Sequence, residues 1–454
     1  MGYSLAQGPA ALAGAKDPAF VVVYDNVNTA QERYRYVCQI TIDGSVIGTF
    51  KQLPNNANRG AFSLNDIFLS YVEQEENPWR LGKYLTNNDL DTSKLFSTNA
   101  KAIQTFDLDF GYEYSVQPGD APTLFLNQAT DSIKLTNATY RQFALSTESN
   151  FVSNYALNNR FGKLLSDVPP SYSDGSDTGI IFQQWVGDEQ FGALAFLNGD
   201  DVGSDAPDYL NIRLYDKAGT LLNQAAIDNN STNGGAVPTS SLIDSKSLLY
   251  FGCFPANLDA QNIETSIRPS VNPTWDYYDI YFSEDSAGAF PKSEYYRFNR
   301  ADCERFTPHY TLAWWNSVGG VDQLIFSGLN KVTQTIKRTT YRTRGGNAYD
   351  ANGTSNPYIE QSYQGGLVSL KPLTATVLQL TTIEQSPEHL QPLISSLMTS
   401  ERVYAYGNEF GNISASNDGY VRVVVKDNTL TEKVGKQDGY VSYSVKVEVS
   451  RYIP

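Results

Sequence analysis

The chain has 454 residues, a net charge of −15 and a charged fraction of 18%, whereas aromatic residues make up 13% and include 30 tyrosines. This length suits about three domains, and the excess of aromatic residues favours an all-β or α+β fold. The negative charge and the pI near 4.7 argue against a nucleic-acid groove, because phosphate binding needs clustered Lys and Arg.

The first 18 residues are rich in Ala and Gly and end at Pro18. They have neither a basic segment nor a long apolar core, so they predict neither a signal peptide nor an anchor, and no apolar run approaches membrane-spanning length. Residues 1–18 are predicted as an arm that is flexible alone and becomes ordered on a neighbour. Cys38, Cys253 and Cys303 fit neither a disulfide framework nor a metal site and are predicted to be buried thiols.

Residues 19–120 are predicted as a β-sandwich-like module with one short helix. Asp43-Gly44 predicts a tight hairpin turn. The strand candidates are apolar or alternate with a period of two, and they are Phe20 to Tyr24, Tyr34 to Ile42, Val46 to Phe50 and Ile103 to Tyr114.

A short amphipathic helix is predicted over residues 64–74. Ser63 is the expected N-cap, Asp66 completes a variant of the capping box, and Phe62 is expected to pack on Ile67. The apolar positions with helical spacing are Leu64, Ile67, Phe68, Tyr71 and Val72.

Residues 121–247 are predicted as a β-rich middle domain with long loops. Short apolar segments separated by turn residues are typical of a sandwich or jelly roll. Asn198-Gly199 and Asn233-Gly234 predict hairpin or loop tips, and Asn223 to Ser241 predicts an exposed, mobile loop. The apolar segments are Gly179 to Trp185, Phe191 to Leu197 and Tyr209 to Tyr215.

Residues 248–454 are predicted as an aromatic-rich β domain, in which WDYYDIYF, EYYRF and YTLAWW lead into NSVGGVDQLIF. In the first of these strands both alternating faces carry rings, so both faces need cover. One cover is the core of the domain, and the other can equally be a neighbouring subunit, since Tyr and Trp are enriched where two surfaces meet. The candidate interface residues are Trp275, Tyr277, Tyr278, Tyr281, Trp314 and Trp315.

The end of the chain combines a loop, a helix and strands. Residues 345–358 predict a long loop, and a short helix is predicted over 391–399, after a separate turn at Ser386-Pro387. The alternation in 421–425 and 441–449 predicts two paired strands. Overall, we expect two or three antiparallel β-sandwich-like modules, with less than about a fifth of the residues in helices.

Few residues suggest catalysis. The only histidines, His309 and His389, come without a Gly-x-Ser-x-Gly elbow, so ordinary polar or capping roles are favoured over a Ser-His-Asp or Cys-His site. The scarcity of Cys and His argues against a zinc site. Hydrolysis by two carboxylates stays open, but among 49 acidic residues the sequence selects no pair. No catalytic residue and no cofactor is predicted.

Two charged segments have alternative interpretations. The acidic loops SDGSDTG and GDDVGSDAPD suit either calcium or solvated turns, and they do not match the EF-hand spacing. Their acids are Asp174, Asp177, Asp200, Asp201, Asp205 and Asp208. The basic run formed by Lys337, Arg338, Arg342 and Arg344 is interpreted as a solvated strand and turn, with a phosphate or lipid contact as the alternative.

Four segments carry a resemblance to a known family. They are RYRYVCQITIDGSVIGTFKQLPNNANRGAFSLNDIFLSYV, WWNSVGGVDQLIFSGLNK, IKRTTYRTR and HLQPLISSLMTSERVYAY. Together they resemble virion structural proteins of tailed phages, in particular tail, ring and fibre-adaptor components of crAss-like phages and other phages that infect Bacteroidetes. After its paired glycines this chain has Val321-Asp322, where the family pattern favours Trp-Asp.

The resemblance implies a protein of the virion tail that is made in the host cytoplasm and has no enzymatic activity. We expect a closed homo-oligomer and contacts with other tail or neck proteins, without a nucleic-acid or membrane partner. Two alternatives remain, namely a tail protein that binds a host receptor or glycan and a glycan depolymerase that uses two carboxylates.

Overall fold

The structure is a computed structural model, and strands take 57% and helices 8% of the residues that it describes. The predicted mostly β fold with a few short helices is therefore confirmed. The described residues are 2–8, 12–16, 20–72, 96–98, 103–136, 156–157, 162–171, 181–188, 190–198, 207–230, 232, 248–260, 264–301, 310–343, 366–370, 373–382, 387–406, 420–427, 429 and 441–449.

The elements are numbered in chain order. The helices are α1 (Asn65–Tyr71), α2 (Pro255–Ala260) and α3 (Pro387–Thr399). The first strands are β1 (Ser4–Gln7), β2 (Leu12–Gly14), β3 (Phe20–Tyr24), β4 (Glu32–Ile42), β5 (Ser45–Gln52), β6 (Arg59–Ser63), β7 (Phe96–Thr98), β8 (Ile103–Ser115) and β9 (Thr123–Thr136). Next come β10 (Ala156–Leu157), β11 (Pro170–Ser171), β12 (Ile181–Val186), β13 (Ala193–Asn198), β14 (Tyr209–Asp216), β15 (Leu221–Asp228), β16 (Leu248–Gly252), β17 (Trp275–Ser283) and β18 (Tyr295–Arg300). The last are β19 (Tyr310–Trp315), β20 (Val321–Phe326), β21 (Lys331–Lys337), β22 (Thr340–Thr343), β23 (Gly366–Ser369), β24 (Leu373–Thr381), β25 (Val403–Tyr406), β26 (Tyr420–Val425) and β27 (Ser444–Val449).

An N-terminal sandwich combines a three-stranded sheet, β1-β3-β6, with a five-stranded sheet, β2-β9-β8-β4-β5. The two sheets share one hydrophobic cluster with α1, and Phe62 of the first sheet lies 6.4 Å from Phe110 of the second, measured between ring centroids. Asp43 and Gly44, with φ angles of 48° and 76°, form the predicted tight turn between β4 and β5. These left-handed angles favour the Asp-Gly sequence.

The first residues of the chain are strands of this same sandwich. β1 pairs with β3 and β2 pairs with β9. Ala15 is buried, the Tyr3 ring lies 6.1 Å from that of Tyr36, and the Tyr3 hydroxyl donates to the Gly111 carbonyl at 3.0 Å. For the described residues 2–8 and 12–16 the prediction of a flexible arm is therefore wrong, because short edge strands can pair through their backbone even where most side chains are small.

Helix α1 is shorter than predicted and begins without the predicted cap. Its N-cap residue is Leu64, which makes no side-chain capping bond, and Asp66 lies in the first turn. Ser63 pairs with Phe20 at the end of β6 instead. The capping-box prediction is therefore wrong, because strand pairing takes up Ser63 before the helix begins.

A second, larger core lies under three further sheets. Their strand orders are β10-β13-β16-β7, β11-β12-β18-β17-β14-β15 and β20-β19-β25-β26-β27-β24-β21, and β22 and β23 pair separately. β7 pairs with β16 in this core, although the chain continues into β8 of the N-terminal sandwich. β13 pairs with β16 and β14 with β17, so strands from residues 121–247 and from residues 248–454 share sheets.

Several local predictions need correction. Helix α3 begins at Pro387 and contains Pro392, whereas the prediction was a separate turn and a helix from 391. Proline at the first helical position loses no helical hydrogen bond, which allows the earlier start. Asn223 belongs to edge strand β15, although it was predicted to begin a loop that reaches Ser241. Residues 233–247 and 345–358, which include predicted loop residues, lie outside the described part of the chain.

The clearest strand patterns are confirmed. The alternation near the C-terminus forms β26 and β27, which pair antiparallel with Val423 opposite Val449. β8 and β14 also form close to their predicted bounds.

Removal of residues 2–16 is expected to destabilise the protein, because the N-terminal sandwich loses two edge strands and the Tyr3 ring. At about 25 cal/mol per Å² of apolar area, we expect the free energy of unfolding to fall by about 3 kcal/mol or more. Urea unfolding followed by far-ultraviolet circular dichroism measures this loss. Gly2→Ala, at a position with open space around it, is the control, and an unchanged midpoint after truncation would contradict the assignment.

Candidate functional site

Strand β17 has both of its faces covered by its own chain. Tyr278 on one face is buried in the larger core and donates to the Cys253 carbonyl at 2.7 Å. Tyr277 on the other face is half-buried. Five of the six interface candidates are at most 5% exposed in the single chain: Trp275, Tyr278, Tyr281, Trp314 and Trp315.

A ladder of tyrosines and arginines covers the second face of β17, and Asp279 lies at its centre. Arg297 on β18 donates to both carboxylate oxygens of Asp279, at 2.7 and 2.8 Å. The same guanidinium lies 4.1 Å from the centroid of the Tyr277 ring. On the β14 side, Tyr215 stacks on Tyr277 at 4.9 Å, and Arg213 lies over the Tyr281 ring at 5.1 Å.

In this Tyr–Arg ladder, the tyrosine rings and guanidinium groups contact one another rather than solvent-facing partners. Tyr277 and Tyr281 are each flanked from β14 and from β18, since Tyr295 lies 4.4 Å from Tyr281. Burial raises the pKa of both phenols, and the bonds to Asp279 raise the pKa of Arg297. The rings therefore favour a structural role over a stacking platform for a glycan.

Arg297→Lys is expected to lower the free energy of unfolding by about 1–3 kcal/mol, because lysine cannot form the two parallel bonds to Asp279 or stack as a planar group on Tyr277. Urea unfolding measures the effect. Arg422→Lys, at an exposed position of β26, is the matched control. A loss of equal size in both variants would contradict the role of the ladder.

A buried polar network links the β19–β20 hairpin to α3 and to residues 162–171. Asp322 accepts bonds from the Ser166 hydroxyl at 2.5 Å, the Asp167 amide at 2.8 Å and the Asn316 side chain at 3.1 Å. Ser396 of α3 donates to Asp167 at 2.6 Å and accepts from the Trp314 indole at 3.0 Å. We call this set of residues the Asp322 network.

The paired glycines of NSVGG are explained by this network. A Cβ on Gly320 would lie 1.9 Å from the Leu165 carbonyl oxygen, and Gly319 has a φ of 88°. The Asn316 side-chain oxygen accepts from the amides of Val318 and Gly320. The turn therefore requires small residues where it packs against residues 162–171.

Asp322 carries the clearest electrostatic perturbation. Burial and the negative charge of Asp167 raise the pKa of Asp322 to about 7, against the donors that favour its ionised form. A carboxyl group that is fully enclosed loses the hydration that its charged form needs. The pair is therefore two carboxyl groups in one polar site, with Asp167 the more exposed of them.

The free energy of unfolding is expected to fall as the pH rises from about 4 to about 7, because folded Asp322 keeps a proton that the unfolded chain has lost. Asp322→Asn imitates the protonated acid and should flatten this part of the profile. Asp276→Asn, at an exposed position, is the control that should leave the profile unchanged. Urea unfolding across the pH range decides, and parallel profiles for wild type and Asp322→Asn would contradict the assignment.

Among the described elements, a two-stranded ribbon stands out by its exposure. β21 pairs with β24 and β22 pairs with β23, from Lys331 opposite Gln379 to Thr343 opposite Gly366. β27 covers β24 only as far as Val377, and beyond that residue no other described strand lies beside the ribbon. All seven residues of β21 are exposed.

The ribbon is both basic and apolar at its surface. Apolar side chains that are between 38% and 66% exposed are Val332, Ile336, Tyr341, Leu367, Val368 and Leu370. Its exposed basic residues are Lys331, Lys337, Arg338 and Arg342, none of which forms an ion pair with another described residue. This agrees with the predicted exposure of the basic run, of which Arg344 lies outside the described residues.

Hydrogen bonds hold the base of the ribbon in place. The Thr381 amide donates to the Asn330 side chain at 2.9 Å, and the Gly328 amide donates to the Thr381 carbonyl at 2.8 Å. A Cβ on Gly328 would lie 2.7 Å from that same carbonyl oxygen. The ribbon therefore leaves the sheet from a closely packed turn, in which Gly328 comes two residues after the end of β20.

The remaining candidate residues fall into two groups. Cys38 and Cys253 are buried free thiols, as predicted, and burial raises the pKa of Cys38 to about 12. The His389 ring lies 5.8 Å from that of Trp185. Asp208 is half-buried, and burial raises its pKa. The other candidates lie outside the described residues: Cys303, His309, Asp174, Asp177, Asp200, Asp201 and Asp205.

Within the described ranges, no cluster of three or more His, Cys, Asp or Glu residues could hold a metal ion. No described helix is long and apolar enough to cross a membrane. Neither the protein-family models nor the curated proteins include a match to this chain.

Proposed function

We propose that this chain is a structural protein of a tailed-phage virion, in a tail or neck ring, an adaptor or a fibre attachment, and that it acts by protein–protein assembly. The observation that carries the proposal is the exposed ribbon. A two-stranded ribbon is marginally stable in water by itself, and apolar side chains on an unpaired edge favour contact with another chain. An assembly protein provides such a contact.

The segments that resemble phage tail components support the same proposal. WWNSVGGVDQLIFSGLNK contains the end of β19 and all of β20, supplies Trp314, Asn316 and Asp322 of the Asp322 network, and ends at the base of the ribbon. IKRTTYRTR begins at Ile336 and follows one strand of the ribbon outward. The segments that carry the resemblance therefore include the β19–β20 hairpin, which the Asp322 network holds in place, and one strand of the exposed ribbon.

The rest of the fold suits a load-bearing role. The Asp322 network and the Tyr–Arg ladder both join segments that are distant in sequence, for instance Ser166 to Asp322 and Asp279 to Arg297. Buried polar networks whose members are satisfied rigidify the structure around them. A rigid body with one projecting element is typical of a component that positions other proteins.

The test uses particles of the phage that encodes this chain. We expect mass spectrometry of purified particles to detect the protein at many copies per particle, and immunogold labelling to place it on the tail or neck. Absence from purified particles would overturn the proposal. As a parallel test, purified protein is incubated with host surface polysaccharide, and release of oligosaccharides would favour a depolymerase instead.

A further inference from the structure

We propose that the ribbon docks on the acidic surface of a second copy of this chain, in a head-to-tail contact that repeats from subunit to subunit. This inference rests on the proposed assembly function and names the partner of its exposed element. It is argued from the charge of the ribbon, its size and the distribution of its apolar side chains.

The charge of the chain is divided unequally. Residues 331–382 contain six basic and two acidic residues, so this segment has a net charge of +4 and the remaining residues carry −15 − 4 = −19. The acids of the segment, Asp350 and Glu360, lie in the connection between β22 and β23, and the paired strands themselves contain none. The rest of the same chain therefore supplies the opposite charge that the ribbon needs.

The size of the ribbon indicates how it is held. The free part, residues 334–343 with their partners, is about 33 Å long and about 10 Å wide at usual strand spacings. Each face then presents roughly 330 Å², whereas a standard interface buries about 800 Å² on each partner. One face alone is too small for a stable contact, so the partner must cover both faces or bury adjoining surface as well.

Apolar side chains lie on both faces of the ribbon. Tyr341 lies opposite Val368 on one face, and Leu367 lies opposite Arg342 on the other. Leu367 is 66% exposed. This arrangement fits a cleft between elements of the second copy better than a flat surface.

A contact between unlike surfaces of identical chains has a structural consequence. The ribbon of one copy contacts the body of the next, so every copy still offers one ribbon and one acidic surface. Such a heterologous contact closes into a ring or continues as a filament. Because the contact depends on charge, it also weakens as salt screens the groups at its rim.

Sedimentation velocity of the full-length protein tests the proposal at about 50 mM and about 500 mM salt. Charged groups are weakly screened at the lower concentration and strongly screened at the higher one. We expect self-association at low salt that weakens at least about tenfold at high salt. Lys331→Glu, Lys337→Glu, Arg338→Glu and Arg342→Glu, combined, should weaken the low-salt association by at least about tenfold. A wild-type protein that stays monomeric at low salt would overturn the proposal.

A matched variant controls for net charge. Arg35→Glu, Arg59→Glu, Lys217→Glu and Arg422→Glu, combined, reverse four exposed charges elsewhere and give the same net charge as the ribbon variant. This variant should associate more strongly than the ribbon variant. Equal association of the two variants would show that net charge, and not the ribbon, governs the contact.

A photo-cross-linker placed at position 341 keeps the test decisive if a multiple variant fails to fold. Wild-type isotope-labelled protein is mixed with unlabelled cross-linker protein, and mass spectrometry identifies linked peptides. We expect links from the ribbon to acidic peptides of the labelled copy. Links only within one chain would overturn the inference, whereas absence of the protein from virions would overturn the proposed function alone.

Discussion

The requirement to cover both faces of β17 organises the larger part of the molecule. A strand with rings on each side cannot remain at a surface, so one face lies in the core under three sheets. The other face is covered by charged and phenolic side chains around Asp279, where Arg297 binds the carboxylate and stacks on Tyr277. This solution keeps the strand inside a single chain, and the exposed apolar side chains of the ribbon belong to a different element.

Local signals predicted much of the fold, and the reasons are physical. Alternation with a period of two depends only on which side of a strand is buried, so the strands near Ile103, Tyr209 and Val445 are predicted well. The Asp43-Gly44 turn is similarly local, since its left-handed backbone angles require those residues. The start of α1 and the strand character of residues 4–7 were missed, because there strand pairing with distant residues decides the structure.

The candidate sites could be predicted only in part. The sequence shows that the second face of β17 needs a cover, but the groups that supply it, Arg213 and Arg297, come from other strands and have no periodic signal. Ser166 and Asp167 lie in a segment without a periodic pattern, although the NSVGG turn could have indicated a close approach of backbones. The ribbon was missed because KVTQTIK has an ordinary strand pattern, and its exposure is visible only in the structure, where all seven residues of β21 are exposed.

The excursion of β7 makes the two cores parts of one folding unit. Residues 96–98 add a strand to the larger core, and the chain then returns to complete the N-terminal sandwich with β8 and β9. During synthesis, β7 leaves the ribosome long before its partner β16, so this strand has no place to pair until the middle of the chain has been made. Pairings of such long sequence separation fold slowly and leave strand edges open in the meantime. The N-terminal sandwich is therefore not a domain that could be replaced by itself, because the segment that builds it also contributes β7 to the larger core.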